Sequence, residues 1–386
     1  MTPPICDARG EDAGQGGEAG ESNSSEAGAG GTTAQSAGAG QGGGATAGSG
    51  GAASTSPHPV QLAIGTLRIC ALISDGRVYC WGQGLLGNGI GASEGSATPV
   101  EVPGITNAIK LTAAGGTTCA LLADHTIKCW GSDTQAQISA DGFPSNDYLT
   151  PQSVGGINSV NDVLTTGWST CALLSNGTVR CWGSSDGGGG GTASAIKTMS
   201  SLSGATRLGG NVCAVLSDKT VKCWNGVGGT PTARAGLPAN ITQIAGNCAL
   251  SSDGSVRCWG PGGQGQIGNG LTDDQTIPQQ VQMLGAATWI GSGNVHVCAI
   301  ISDQSFSCWG KDGFFSPIDY GPYPLPISGL GKVIAAAAGG DNTCVIESNS
   351  TVKCWGSNLS GYLLGPNGPS GNALTPVRIA GLPGGG

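Results

Sequence analysis

The sequence predicts an all-β chain, a seven-bladed β-propeller of four-stranded antiparallel blades preceded by a disordered N-terminal tether. Three observations predict it. The stretch CALISDGRVYCW at residues 70–81 recurs six more times as a cysteine, nine residues, a second cysteine and a tryptophan. Successive first cysteines lie 49, 52, 42, 35, 50 and 46 residues apart, a period that belongs to solenoids, propellers and arrays. Between these marks the chain shows short β-branched runs bounded by Gly, Pro, Asn and Asp, the pattern of strands, and no helical periodicity.

The tether is residues 1–56, built of Gly, Ala, Ser, Thr, Gln and Glu with almost nothing apolar. Such a segment cannot bury enough surface to offset its ordering entropy. The propeller is expected over residues 57–386. The chain carries 73 glycines, and charged residues make up only 10%. Its net charge of -8 and pI of about 4.8 give it no general attraction for phosphate backbones or anionic membranes, so no nucleic-acid partner is expected. No apolar run reaches the roughly 18 residues that span a bilayer.

Within the first repeat, strands are expected at 60–64, 69–73, 77–81 and 99–102. The second and third form a hairpin around Ser74-Asp75-Gly76. The matching turns run from Ala123-Asp124-His125 to Ser348-Asn349-Ser350 and keep Asp or Asn at the centre, where its side chain initiates a turn. A three-residue loop places Leu72 opposite Val78 and Cys70 opposite Cys80, at a cross-strand separation that a disulfide bridges. A two-residue loop would set Cys80 opposite Ala71. Fourteen of the 15 cysteines fall into such pairs: Cys70 and Cys80, Cys119 and Cys129, Cys171 and Cys181, Cys213 and Cys223, Cys248 and Cys258, Cys298 and Cys308, Cys344 and Cys354. One fixed spacing with no Cys-x2-Cys reads as disulfides in an oxidising compartment rather than a metal site. Each closes a loop of about ten residues, worth on the order of 2–3 kcal/mol in the loop-entropy account.

Positions 72 and 78 are apolar in every copy, and alanine follows the first cysteine in six. A small residue there lets neighbouring sheets approach closely. The connection from each fourth strand to the next first strand is short, so those two strands are expected to pair in one blade. Blade boundaries are then offset from the repeats, with the strand at 376–380 closing the ring beside 60–64. The connections after the tryptophans differ most, from 82–98 down to 225–229. Variable loops on a fixed scaffold are where binding specificity resides. Leu85, Leu86, Phe314, Phe315, Tyr320 and Tyr323 are candidate rim-binding residues.

The core Cys-Ala-Leu, Ser-Asp-Gly, Val-x-Cys-Trp-Gly, with Gly84-Leu-Leu-Gly87-Asn-Gly89 or Gly265-Gln-Ile-Gly268-Asn-Gly270 and a Pro-Val-x-Val strand, resembles the regulator of chromosome condensation repeat family. The resemblance covers residues 60–382 and implies a seven-bladed propeller. Asn225 departs from it, standing where glycine follows the tryptophan. So does the absence of the Gly-Gln-Leu-Gly loop in repeats three, four and six. The family's founder is a nuclear exchange factor for a small GTPase that binds nucleosomes. Those roles would require reduced cysteines here. Bacterial relatives include secreted propellers that bind and inhibit other proteins, which suits this composition better. Cys6, at the head of a polar tether, resembles the lipid-bearing first residue of a bacterial lipoprotein, although Ile5 stands where that signal has a small residue.

No catalytic, metal or cofactor constellation is expected. His58, His125 and His296 are scattered, and runs such as residues 187–191 lack the Gly-Lys-Ser/Thr of a phosphate loop. Trp168 resembles one motif of the plant ultraviolet-sensing propeller but lacks the clustered partners. Lys128, Arg180, Lys222, Arg257 and Lys353 precede the second cysteine in five repeats. They read either as an anionic-partner ring or as a solvated face whose stems cover the tryptophans. The sequence thus points to a non-catalytic, exported, monomeric protein-binding module, extracellular or in the cell envelope, touching membrane only through a lipid on Cys6. The alternative is a secreted hydrolase, carbohydrate-active for example, with a site at the propeller mouth.

Overall fold

A computed structural model describes residues 56–91, 94–143, 146–186, 191–311, 319–358, 361–365 and 371–385. Cys6, Phe314, Phe315 and residues 1–55 of the segment expected to form the tether lie outside them. The described strands form seven four-stranded antiparallel sheets, each in simple sequence order. Blade 1 spans residues 59–101, and blades 2 to 7 span 108–153, 160–198, 205–233, 241–280, 287–326 and 333–378. First strands lie at the axis and fourth strands at the perimeter.

The expected offset of blade boundaries is corrected. Each repeat is one blade, and the last strand, Ala373–Arg378, pairs with Val352–Gly356 in its own blade. The short connection after each fourth strand crosses between sheets instead. Val102 and Ile105, buried in that connection, pack with Leu111 and Trp130 of blade 2. The ring closes by packing. Ile379 and Leu382 continue past the last strand into a core shared with Leu62, Ile64 and Trp81 of blade 1.

The hairpin register agrees with the sequence reading. Cys70 faces Cys80 and Leu72 faces Val78, and the corresponding cysteines face one another in all seven blades with Cα atoms 4.0–4.1 Å apart. The third loop residue has positive φ each time, whether it is Gly76, Gly177 and Gly254 or His125, Lys219, Gln304 and Ser350. This is the three-residue hairpin loop that ends in a left-handed residue. The central Asp or Asn supplies the other constraint. Its Oδ1 accepts the backbone N–H two residues on in every blade, at 2.9–3.1 Å.

Blades join through their tryptophans. Trp182 Nε1 donates to the Gln137 carbonyl at 2.9 Å, Trp309 to Gln266 at 3.0 Å and Trp81 to Leu363 at 3.0 Å. In each case the acceptor sits in the long loop of the preceding blade, so the variable loops are also clamps of the ring. Trp355 donates instead to the Tyr320 hydroxyl at 2.8 Å.

A second belt, at the axis, is absent from any sequence motif. Every first strand carries a bulge near its start, which re-aims the following side chain. Those residues are Gln61, Lys110, Asp162, Arg207, Gln243, Trp289 and Ala335. Gln61 grips both the N–H and the C=O of Leu111 in blade 2 at 2.9 Å. Gln243 does the same to Ile290 in blade 6. Lys110 pairs with Asp162, whose other oxygen accepts the Leu208 N–H of blade 4 at 2.9 Å. Arg207 donates to the Thr242 carbonyl of blade 5 at 2.7 Å. Six successive blades are thus tied in one direction. Crowding at the axis requires glycine: a Cβ on Gly115 (φ +53°) would lie 2.8 Å from the Gly167 Cα, and one on Gly339 would lie 2.6 Å from the Ile64 carbonyl.

Candidate functional site: the loop face of the propeller

Antiparallel order puts two kinds of connection on each face. Hairpin turns and blade-to-blade crossings share one face. First-to-second-strand turns and the long third-to-fourth-strand loops share the other, here the loop face. The hairpin face is occupied by its own structure. The serine or threonine two residues after Asp124, Asp218, Asp253 and Asp303 donates to the carboxylate and holds its pKa below the usual range. Asp75 is held down in the same way by Arg77.

The five basic residues before the second cysteine lie half-buried near this face. Lys128, Arg180, Lys222 and Lys353 donate to the carbonyls of Gly104, Gly156, Ser201 and Gly329. All four acceptors have positive φ and lie in the crossing that enters the same blade. The ring of cations therefore fastens crossings, a role that neither sequence reading anticipated. Tyr79 takes this position in blade 1, where its hydroxyl donates to Glu101 at 2.8 Å.

The histidines do not meet. His58 contacts Ser56 and Ser74 at the start of blade 1. His125 sits in a hairpin turn with Nδ1 at 2.8 Å from the Val160 carbonyl. His296 is buried, with Nε2 at 2.9 Å from the Thr343 hydroxyl, and burial pushes its pKa down to about 4. Arg68, also buried, has its pKa lowered to about 10 by desolvation and donates to the Leu85 carbonyl.

Of the rim candidates, Leu85, Leu86 and Tyr320 are buried. They brace the ring rather than present a surface: Leu86 packs against Trp130, and the Tyr320 hydroxyl receives the Trp355 N–H. Tyr323 is 42% exposed. The apolar groups that the loop face does expose are Leu67, Ile90, Phe143, Trp168, Leu271 and Tyr362. Hydropathy alone could not sort these from the buried set, because both kinds sit in the same glycine-rich loops.

Charge also divides between the faces. Among the described residues the loop face exposes Glu94, Asp141, Asp147, Asp186, Asp273, Asp274 and Asp319, and Lys311 is its one cation outside buried Arg68. At the axis a cavity of about 290 Å³ opens, lined by backbone of the first strands with Thr66, Thr166, Asn211 and Asn294. A larger cavity of about 520 Å³ lies between the inner turns and outer loop of blades 5 and 6.

The fold and face together define a seven-bladed propeller with one disulfide per blade and an acidic loop face. Residues 253–300 and 333–361 match models of the regulator of chromosome condensation repeat, so two stretches of this propeller are similar to that repeat. The first match runs from the hairpin of blade 5 into the second strand of blade 6, and the second lies within blade 7. Prp20p from Saccharomyces cerevisiae is similar with a TM-score of 0.60 and 16% identity over 73% of this chain and 80% of that one. Human WBSCR16 is similar with a TM-score of 0.50 and 16% identity over 83% and 81%. No curated protein matches by sequence.

Proposed function

We propose that this chain is a non-catalytic, exported protein-binding module, monomeric, that recognises its partner through the loop face. One observation carries the reading. The repeated residues are consumed in holding the ring, while the residues that differ between blades gather in loops on one face, with exposed apolar groups among carboxylates. A rigid scaffold presenting unequal loops is the arrangement of a recognition surface.

Seven disulfides suit an oxidising, extracellular compartment, and a tether ending in lipid-modified Cys6 would hold the propeller at a cell surface. Among solved propellers of this fold, the Prp20p structure is described with its binding to Gsp1p and histones, so the architecture serves protein recognition elsewhere. The test replaces Ile90, Trp168, Leu271 and Tyr362 by serine in the oxidised protein. A matched protein carries Lys219→Glu, Met283→Ser and Lys332→Glu, exposed on the hairpin face. Partners captured from the native source should be lost by the first protein and kept by the second. The opposite pattern overturns the reading.

A further inference from the structure

The loop face is not level. From the bulge-aimed residue to the first cysteine is nine positions in five blades, as from Gln61 to Cys70, but six from Arg207 to Cys213 and five from Gln243 to Cys248. The second strands of blades 4 and 5, Cys213–Leu216 and Cys248–Ser251, have four residues against six elsewhere. In a full blade the residue two after the tryptophan donates its N–H to the inner turn, as Gln83 does to Leu67 and Ser184 to Trp168. In blades 4 and 5 the ladder stops earlier, with the N–H of Trp224 and Trp259 itself donating to Val212 and Asn247. Pro261 occupies the place of the lost donor in blade 5, so the cut edge leaves no bare N–H there.

The consequence is a notch over blades 4 and 5. Trp224 and Trp259 are each 6% exposed, while the other five blade tryptophans are 0–1% exposed. Cys223 is the one member of the fourteen paired cysteines that is not buried. The loop of blade 4, residues 225–229, gives the Trp259 indole N–H no carbonyl; what blade 4 lays on the Trp259 ring is the Arg234 guanidinium, 4.8 Å from its centroid. Among the described residues nothing accepts from Trp259 Nε1, whereas Trp81, Trp182 and Trp309 each have a loop carbonyl. The 520 Å³ cavity occupies this place. Trp259 lines it with Asn211, Asn247, Gln264, Gln266, Asn294 and Asp274.

We propose that this notch is a docking site for a protruding segment of a partner protein that brings a lysine or arginine to Asp274. The proposal rests on the protein-binding reading and specifies its site. Blades 1, 3 and 6 supply the template, since there a polypeptide loop covers the same ground and offers a carbonyl to the indole. Carboxamides present both a donor and an acceptor to peptide groups. No lysine or arginine lines the cavity, Arg234 being turned to the Thr276 carbonyl, and exposed Asp274 is its one carboxylate, so the complementary occupant is cationic.

The test selects a displayed library of random cyclic heptapeptides against the oxidised propeller. Selected peptides should carry Lys or Arg and should weaken about tenfold on Asp274→Asn, which removes one charge-assisted bond while keeping the acceptor for the Gly262 N–H. They should lose binding when four residues, Gly-Ser-Gly-Asn, are inserted after Gly246 to refill the notch. Peptides without basic residues, peptides indifferent to both changes, or no selected peptide at all would each overturn the site. Loss of partner capture by the serine-substituted loop face would stand in any of those cases, so the two readings fail separately.

Discussion

Replacing Asp162 by alanine should be the most damaging single change at the axis of the ring. Asp162 is 2% exposed and Lys110 3%. One carboxylate oxygen takes the Lys110 ammonium and its own neighbour's N–H at Val163, and the other takes the Leu208 N–H of blade 4. Arg207 adds a favourable field, although burial lowers its own pKa overall. Alanine leaves an ammonium without its counterion, at about 3–5 kcal/mol for a broken buried pair. It also removes the carboxylate acceptor of the Val163 and Leu208 N–H groups, at about 1–3 kcal/mol. The terms overlap, so a loss on the order of 4–6 kcal/mol is expected. Guanidinium unfolding of the oxidised protein, followed by tryptophan fluorescence, measures it. The double variant Lys110→Met with Asp162→Asn removes both charges and should recover most of the loss, because a buried pair exchanged for uncharged groups is close to neutral. A loss below about 1 kcal/mol for Asp162→Ala, or a double variant no better than the single, would refute the account of the belt.

Three further outcomes are expected. His296 is buried neutral with a folded pKa of about 4 against 6.5 when exposed. The unfolded chain therefore binds the proton first, so stability is full above pH 6.5 and falls towards pH 4, by about 3 kcal/mol. His296→Asn should flatten the melting temperature across that window, and equal slopes would reject the assignment. Limited reduction followed by alkylation and peptide mapping should label Cys213 and Cys223 before any other pair, since Cys223 alone is not buried; simultaneous labelling of all seven pairs would count against it. Gly115→Ala should destabilise by about 1–3 kcal/mol in a thermal melt, because its φ of +53° disfavours a side chain and the Cβ meets the Gly167 backbone. An unchanged melt would mean that the inner turns move apart freely.

The strand pattern, hairpin register, disulfide pairs and blade count were legible because each is set by contacts within about ten residues and repeated seven times. The Asx turns were legible for the same reason. The blade boundary was not: whether residues 95–101 pair with the strand before or the strand after depends on which sheet edge is free, and both connections are short. The buried state of Leu86 and Tyr320 was equally hidden, since their partners Trp130 and Trp355 come from the next blade. The lysine and arginine positions were visible, but not the turn carbonyls 21–24 residues upstream that they hold.

By itself the sequence determined the unit: a cysteine-stapled hairpin with one tryptophan, because local spacing and side-chain alternation leave one register that joins the cysteines. Only the tertiary structure decided how units meet. The belt of Gln61, Lys110, Asp162, Arg207 and Gln243 has no motif, since its residues share a position and not a chemistry, and each acts on a neighbour 35 to 52 residues on. The notch over blades 4 and 5 lies between these cases. Its cause, two shortened turns, is written in the cysteine spacings of 42 and 35. Its consequence, a cavity that joins Trp259 to Asp274, exists only once seven sheets stand side by side and two of them are lower than the rest.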